Sequence, residues 1–100
     1  MTERKPMSRD EMLVCIINHY GIKHQEEKAV EEMAELTKEL VKKWHCHDRE
    51  EGIQLIRNIR EEVADVYVMM LQLMKLCDEE LVMEIVDEKI KRTVEEMQNE

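Results

Sequence analysis

Residues 31–36 read EEMAEL and residues 61–66 read EEVADV, so one acidic phrase occurs twice in this chain. Each copy places two carboxylates three positions apart, Glu32 with Glu35 and Glu62 with Asp65. Residues with this spacing are neighbours on one side of an α-helix. If the two helices face each other, four carboxylates form an oxygen site that suits Mg²⁺, with Mn²⁺ as an alternative.

Acidic pairs are common in this chain, which holds 24 Asp and Glu residues, so the spacing alone is weak evidence. Glu84 and Asp87 repeat it on a helix face opposite apolar residues, which is typical of a solvated surface. Glu32 and Glu35 lie beside the apolar stripe of their helix, and this pattern alone also favours solvation. The first copy therefore needs support from the second.

Asp65 has different surroundings, because residues 63–74 are apolar on every side except at Asp65 and Gln72. A helix of this kind is predicted to be buried. A buried carboxylate is costly unless it has a partner, so Asp65 requires a metal ion, a basic side chain or a proton. Gln72 lies about two turns further along, and we expect Glu62, Asp65 and Gln72 to border one cavity.

The composition predicts a small, nearly all-helical domain. The 100 residues include two Gly, one Pro and no Phe, which leaves few positions for tight turns. The net charge of −9 argues against a nucleic-acid polymer as the ligand. The three cysteines form no secreted-type framework, and the apolar run is too short to span a membrane. We therefore expect a cytoplasmic protein that has reduced thiols and no membrane contact.

Capping signals divide the chain into four helices. Ser8 and Glu11 form a capping box, Gly21 is placed to end the first helix, and Asp78 is placed to cap the last. The predicted helices cover about residues 9–20, 23–45, 53–77 and 79–97. Residues 1–7 are predicted to be disordered, residues 8–100 form one domain, and residues 44–52 form a loop in which Asp48 could start a short helical turn. Short connections favour an antiparallel four-helix bundle, in which residues 32–35 and 62–65 come level.

The doubled motif resembles that of the MazG-type all-α nucleoside triphosphate pyrophosphohydrolases, particularly the short, phage-like members. Their pattern pairs Glu-x-x-Glu with Glu-x-x-Asp, and here 26 residues separate the two pairs. The sequence Tyr20-Gly21 followed by Gln25, the segment 28–32 (KAVEE) and the segment 88–93 (EKIKRT) are also similar to the family. The resemblance covers about residues 16–95.

The resemblance implies an all-α pyrophosphohydrolase fold and Mg²⁺-dependent cleavage of a nucleoside triphosphate, ribo or deoxy, to the monophosphate and pyrophosphate. It implies that the metal ligands are the four motif carboxylates, Glu32, Glu35, Glu62 and Asp65. It further implies Glu31 and Glu61 as second-sphere groups or catalytic bases, and a substrate contact for Gln25.

Two basic residues of the fourth helix are candidates for phosphate binding. Lys89 shares a face with Val82 and Val86, which fits either a buried stem with an exposed ammonium group or a phosphate contact. The resemblance favours the phosphate contact. Arg92, one turn further on, fits a phosphate contact and a surface ion pair equally well.

Other functional classes fit the sequence less well. A zinc site at His45-Cys46-His47 lacks ligands elsewhere in the chain. A dinuclear iron or manganese bundle needs Glu-x-x-His pairs, and this chain has none. A non-catalytic helical module or a degenerate relative of the enzyme stays open, and so does the related hydrolysis of phosphoribosyl-ATP.

The third helix also predicts self-association. Val68, Met69 and Leu71 point away from the stripe that contains Val63 and Met70, so one chain would leave an apolar face wet. We therefore expect a homodimer or a homotetramer with the third helix at the interface. Such an interface would allow active sites to draw residues from more than one chain. Trp44 is expected in the core or at an interface.

Overall fold

The computed structural model describes residues 5–100, which form four α-helices and no strand. The helices are α1 (Arg9–Tyr20), α2 (Ile22–Trp44), α3 (Arg49–Leu76) and α4 (Glu79–Gln98). The predicted all-α class is confirmed. Residues 5–8 are not helical, and residues 1–4 of the predicted disordered start lie outside the described range. None of the helices in residues 5–100 combines the length and the apolar content that crossing a membrane requires.

The helix boundaries follow local capping chemistry. The capping box of α1 is present, with the Glu11 amide donating to Ser8 Oγ at 3.1 Å and the Ser8 amide donating to Glu11 Oε1 at 3.3 Å. Gly21 alone separates α1 from α2, and its φ of 91° is one that glycine adopts readily. Asp78 caps α4 by accepting a hydrogen bond from the Leu81 amide at 3.3 Å.

The predicted loop over residues 44–52 is too long, because α3 already begins at Arg49. The Asp48 carboxylate accepts hydrogen bonds from the amides of Glu50 and Glu51, both at 3.4 Å. A cap of this kind contributes about 1 kcal/mol, which offsets the similar cost of holding Gly52 inside a helix. The connection between α2 and α3 is therefore only residues 45–48.

The core is small and belongs to the first three helices. Its buried apolar residues are Leu13 and Ile17 of α1, Ala29 of α2, and Leu55 and Met69 of α3. The prediction that α3 is buried on all sides is wrong for a single chain, because Val63 is 50% exposed and Tyr67 is 54% exposed. No other helix of the described chain covers that side of α3.

The fourth helix contributes no buried residue. Among the described helices it contacts only α3. The radius of gyration is 18.0 Å, whereas a compact chain of this length has a radius of about 13 Å. The difference arises because α4 does not fold onto the core that the other helices share.

Candidate metal centre

The helices α2 and α3 pack side by side in opposite directions. Gln25 bonds to Gln72 near one end of the pair, and Asn58 donates to Glu39 at 3.5 Å near the other. Partners whose numbers rise on one helix and fall on the other define an antiparallel register. This register brings the two acidic phrases level, as the sequence predicts.

Three of the four predicted ligands meet at this level. Glu32, Glu62 and Asp65 each offer a carboxylate oxygen, and these oxygens all lie within 4.8 Å of one another. Glu32 and Glu62 are half-buried, while Asp65 is exposed. The expectation that Asp65 is buried is therefore wrong, because Asp65 lies at the solvent-accessible edge of the contact between α2 and α3. Glu35 is exposed and does not belong to this carboxylate cluster.

Glu62 occupies the most unfavourable position in the carboxylate cluster. Its Oε2 atom is buried and has no hydrogen-bond partner. Removal from water raises the pKa of Glu62 above its usual value, and the negative charges of Asp65 and Glu32 raise this pKa further. Buried polar atoms in folded proteins nearly always have partners. A cation held between the three carboxylates would give Glu62 a partner and cancel the repulsion.

Lys28 interacts with the carboxylate cluster through its charge, although a lysine ammonium is not a metal ligand. Its Nζ atom lies 3.2 Å from Glu32 and 4.0 Å from Glu31. The hydrogen bond to Glu32 is the main reason that the pKa of Lys28 is raised. The signal in the sequence was the i, i+4 spacing of Lys28 and Glu32, which places opposite charges together on a helix.

The two glutamates that precede the motif pairs have different settings. Glu31 is exposed and lines a cavity between α1, α2 and α3. Glu61 is exposed and belongs neither to the carboxylate cluster nor to the lining of that cavity. Because Lys28 Nζ lies 4.0 Å from Glu31 and 3.2 Å from Glu32, Glu31 is the better placed of the two for chemistry near the cluster.

The predicted basic residues of α4 are not brought to the carboxylate cluster within one chain. Lys89 and Arg92 are both exposed in the single chain. Neither forms an ion pair with another residue of the range 5–100. Trp44, expected in the core or at an interface, is 69% exposed in the single chain.

The predicted substrate residue Gln25 is buried, and its partner was not foreseen. Gln25 Nε2 donates to Gln72 Oε1 at 2.8 Å. Both side chains line the cavity between α1, α2 and α3, and neither Glu62 nor Asp65 does. The expectation that Gln72 borders one cavity with these two carboxylates is therefore wrong. Gln72, which lies between Leu71 and Leu73, was the available signal, whereas Gln25 lies between His24 and Glu26 and gives none.

Comparison of the chain with family models, with curated proteins and with solved structures finds no match. A function for this chain is therefore a proposal that draws on its residues, their geometry and the resemblance of its doubled motif.

Proposed function

We propose that this chain is a Mg²⁺-dependent nucleoside triphosphate pyrophosphohydrolase that converts a (d)NTP into the monophosphate and pyrophosphate. The observation that best supports the proposal is the convergence of Glu32, Glu62 and Asp65 from two helices, together with the buried Oε2 atom of Glu62 that has no hydrogen-bond partner. The reaction class comes from the resemblance to the MazG-type enzymes.

The donor set fits a hard divalent cation. Carboxylate oxygens are the ligands that Mg²⁺ and Mn²⁺ prefer, and Mg²⁺ sites commonly use a few carboxylates together with substrate phosphates. Glu32, Glu62 and Asp65 would hold the ion, and Glu35 joins the proposed set through the resemblance. When bound, Mg²⁺ would neutralise phosphate oxygens and make a water molecule more acidic.

The remaining residues have roles in charge balance and proton transfer. Lys28 neutralises part of the charge on Glu32 and keeps that carboxylate in place. Water adds to a phosphorus atom beside the oxygen that bridges the α and β phosphates, and the bond from that phosphorus to the bridging oxygen breaks. The proton that the water releases passes to a carboxylate, for which Glu31 is the better candidate and Glu61 the second.

The proposed enzyme is a homo-oligomer, either a dimer or a tetramer. Large apolar side chains of α4 are exposed in the single chain: Leu81, Met83, Ile85, Ile90, Val94 and Met97. Stable monomers rarely expose so many apolar residues together. A second copy that covers α3 and α4 would also allow Lys89 and Arg92 to approach the phosphates of a substrate held by another chain.

A non-catalytic helical module is the main alternative. Such a module would place its acidic residues in solvent, and it would have no reason to bury an oxygen of Glu62 in a group of three carboxylates. Phosphoribosyl-ATP presents the same α–β phosphate linkage, so it belongs in the substrate test rather than in a separate class.

A screen for pyrophosphate release tests the proposal directly. The purified chain would be incubated with Mg²⁺ and each canonical NTP and dNTP, with several damaged nucleotides and with phosphoribosyl-ATP. We expect pyrophosphate and the monophosphate, identified by ³¹P NMR, and no turnover in excess EDTA. A diphosphate with free phosphate would assign a different phosphohydrolase, and no turnover of any substrate would favour the non-catalytic module.

A further inference from the structure

The cavity beside the carboxylate cluster has a volume of about 420 Å³, which lies within the usual range for small-molecule sites, about 300–1,000 Å³. Its apolar wall consists of Ile16, Val68 and Met69, and its polar wall consists of Tyr20, His24, Gln25, Lys28, Glu31 and Gln72. An apolar wall with a few oriented polar groups is typical of a ligand site.

A series of hydrogen bonds connects lining residues of this cavity, and the donor and acceptor in each bond are fixed. The Val68 carbonyl can only accept, so Gln72 Nε2 must donate to it, at 3.4 Å. Gln72 Oε1 then accepts from Gln25 Nε2 at 2.8 Å, which leaves Gln25 Oε1 facing His24 Nδ1, also at 2.8 Å. Because that oxygen can only accept, His24 must carry its proton on Nδ1.

The consequence for His24 is a defined surface chemistry. A neutral imidazole with its proton on Nδ1 has a free lone pair on Nε2, so His24 offers an acceptor at the wall of the cavity. The His24 ring also stacks on Tyr20, with ring centroids 4.9 Å apart and an interplanar angle of 15°. Both residues are exposed, so a ligand can reach them.

We infer that this cavity binds the base of the nucleotide, an inference that rests on the proposed function. A planar heteroaromatic ring with an N–H group suits the Tyr20–His24 stack, the apolar wall and the His24 acceptor together. The polyphosphate would then lie toward the carboxylate cluster, because Lys28 lines the cavity and its Nζ atom is 3.2 Å from Glu32.

Within this site His24 contacts the base, whereas Gln25 and Gln72 are positioning residues that act through His24. Gln25 is 5% exposed and Gln72 is 1% exposed. Neither side chain has much surface to offer a ligand. Their contribution is to hold the His24 ring in one tautomer and one orientation, in the way that a hydrogen-bonded neighbour fixes an imidazole elsewhere.

Two NMR measurements on the wild-type chain test the inference. The ¹⁵N shifts of His24 are expected to show the proton on Nδ1 at a pH where the ring is neutral. Titration with millimolar cytidine, uridine, adenosine or guanosine, without Mg²⁺, is expected to shift the His24 ring and the Gln72 side-chain amide. Inorganic tripolyphosphate is expected to leave them in place. A proton on Nε2, or no shift with any nucleoside, would overturn the inference.

The variant Gln72→Leu separates positioning from structure, with Gln54→Leu as the control on the exposed part of the same helix. Loss of the hydrogen bond between Gln25 and Gln72 is expected to raise KM for the nucleotide about fivefold with little change in kcat. It is also expected to mix the His24 tautomers, whereas Gln54→Leu should change neither. An unchanged tautomer in a folded Gln72→Leu protein would contradict the positioning role.

These outcomes also separate the base site from the proposed function. If no triphosphate releases pyrophosphate but nucleosides still shift His24, the hydrolase proposal fails and the base site stands. If triphosphates are hydrolysed while nucleosides leave His24 unchanged, the hydrolase proposal stands and the base site is wrong.

Discussion

The pair formed by α2 and α3 differs sharply from α4, although all three helices are amphipathic. Side chains of α2 and α3 meet along the pair, bury two glutamines and bring three carboxylates together. The helix α4 exposes its apolar side chains and buries none of them. The contact between α2 and α3 forms within one chain, whereas the apolar side chains of α4 stay uncovered in residues 5–100.

This difference shows what an amphipathic pattern specifies. The pattern says that one side of a helix must leave water, but it does not say which chain covers it. For α2 and α3 a connection of four residues supplies the partner at once. For α4 the short connection at Asp78 leads away from the core. The apolar side chains of α4 therefore stay exposed unless a second copy covers them.

The largest effect should follow from a change in the carboxylate cluster between α2 and α3. Asp65→Asn removes one charged ligand from the carboxylate cluster, and we expect Mg²⁺-dependent turnover to fall by well over tenfold, a loss above about 1.4 kcal/mol in the barrier. Circular dichroism should show an intact helical fold. The control Asp87→Asn makes the same change on α4, away from the cluster. More than a tenth of wild-type activity in Asp65→Asn would refute the ligand assignment.

A change on the exposed apolar surface of α4 should alter the oligomeric state. Ile90 is 59% exposed on α4, and Ile90→Glu would place a charge on the surface proposed to meet a second copy. We expect light scattering to give a multiple of 12.1 kDa for the wild type and a mass nearer 12.1 kDa for the variant, with a parallel loss of activity. The control Gln98→Glu adds the same charge at the end of α4. A wild-type mass of 12.1 kDa at micromolar concentration would show that α4 has no such partner.

Two glutamates of the first motif test which carboxylates between α2 and α3 matter for turnover. Glu32 belongs to the carboxylate cluster and Glu35 does not. We therefore expect Glu32→Gln to reduce turnover more than Glu35→Gln. The two variants make the same chemical change on the same helix, so they differ only in position relative to the carboxylate cluster. Steady-state rates at saturating Mg²⁺ would measure both. Equal losses would indicate that Glu35 joins the ligands once the cation is bound.

The smallest effect concerns stability without a cation. Because the pKa of Glu62 is raised, the folded protein binds this proton more tightly than the unfolded chain does. Ionised Glu62 therefore lowers stability above the raised pKa, and the penalty disappears as the pH falls below the ordinary pKa of glutamate. In EDTA at neutral pH, Glu62→Gln is expected to unfold at a higher temperature than the wild type.

That difference in unfolding temperature should close in acid. The control Glu95→Gln removes one charge from an exposed site on α4 and is expected to change the unfolding temperature less. Scans of thermal unfolding across pH would measure both variants. A Glu62→Gln protein less stable than the wild type in EDTA would show that another contact offsets the repulsion.

The sequence predicted the helices well because capping is local. Ser8, Gly21 and Asp78 act within one or two turns of their own position, so their effect can be read without the rest of the fold. The early start of α3 at Arg49 was missed because Gly52 looked like part of a loop. The Asp48 cap is also a local signal, and it indicates the start at Arg49.

The candidate site was predicted less completely because it depends on how the helices are rotated about their axes. Spacing places Glu32 and Glu35 side by side on α2, but rotation against α3 decides that Glu32 joins the carboxylate cluster and Glu35 faces water. The same rotation buries Gln72 against Gln25, about two turns along α3 from Asp65. Such pairings between distant residues leave no periodic signal in either helix.

The junction at Gly21 has a consequence for how the chain can change length. One residue joins α1 to α2, and the Tyr20–His24 stack bridges it. Inserting a single residue at the end of α1 would rotate that helix by about 100° relative to α2, which would turn Leu13 and Ile17 out of the core and separate the two rings. Natural insertions and deletions should therefore be absent from this junction and should collect instead in the four-residue connection before Arg49.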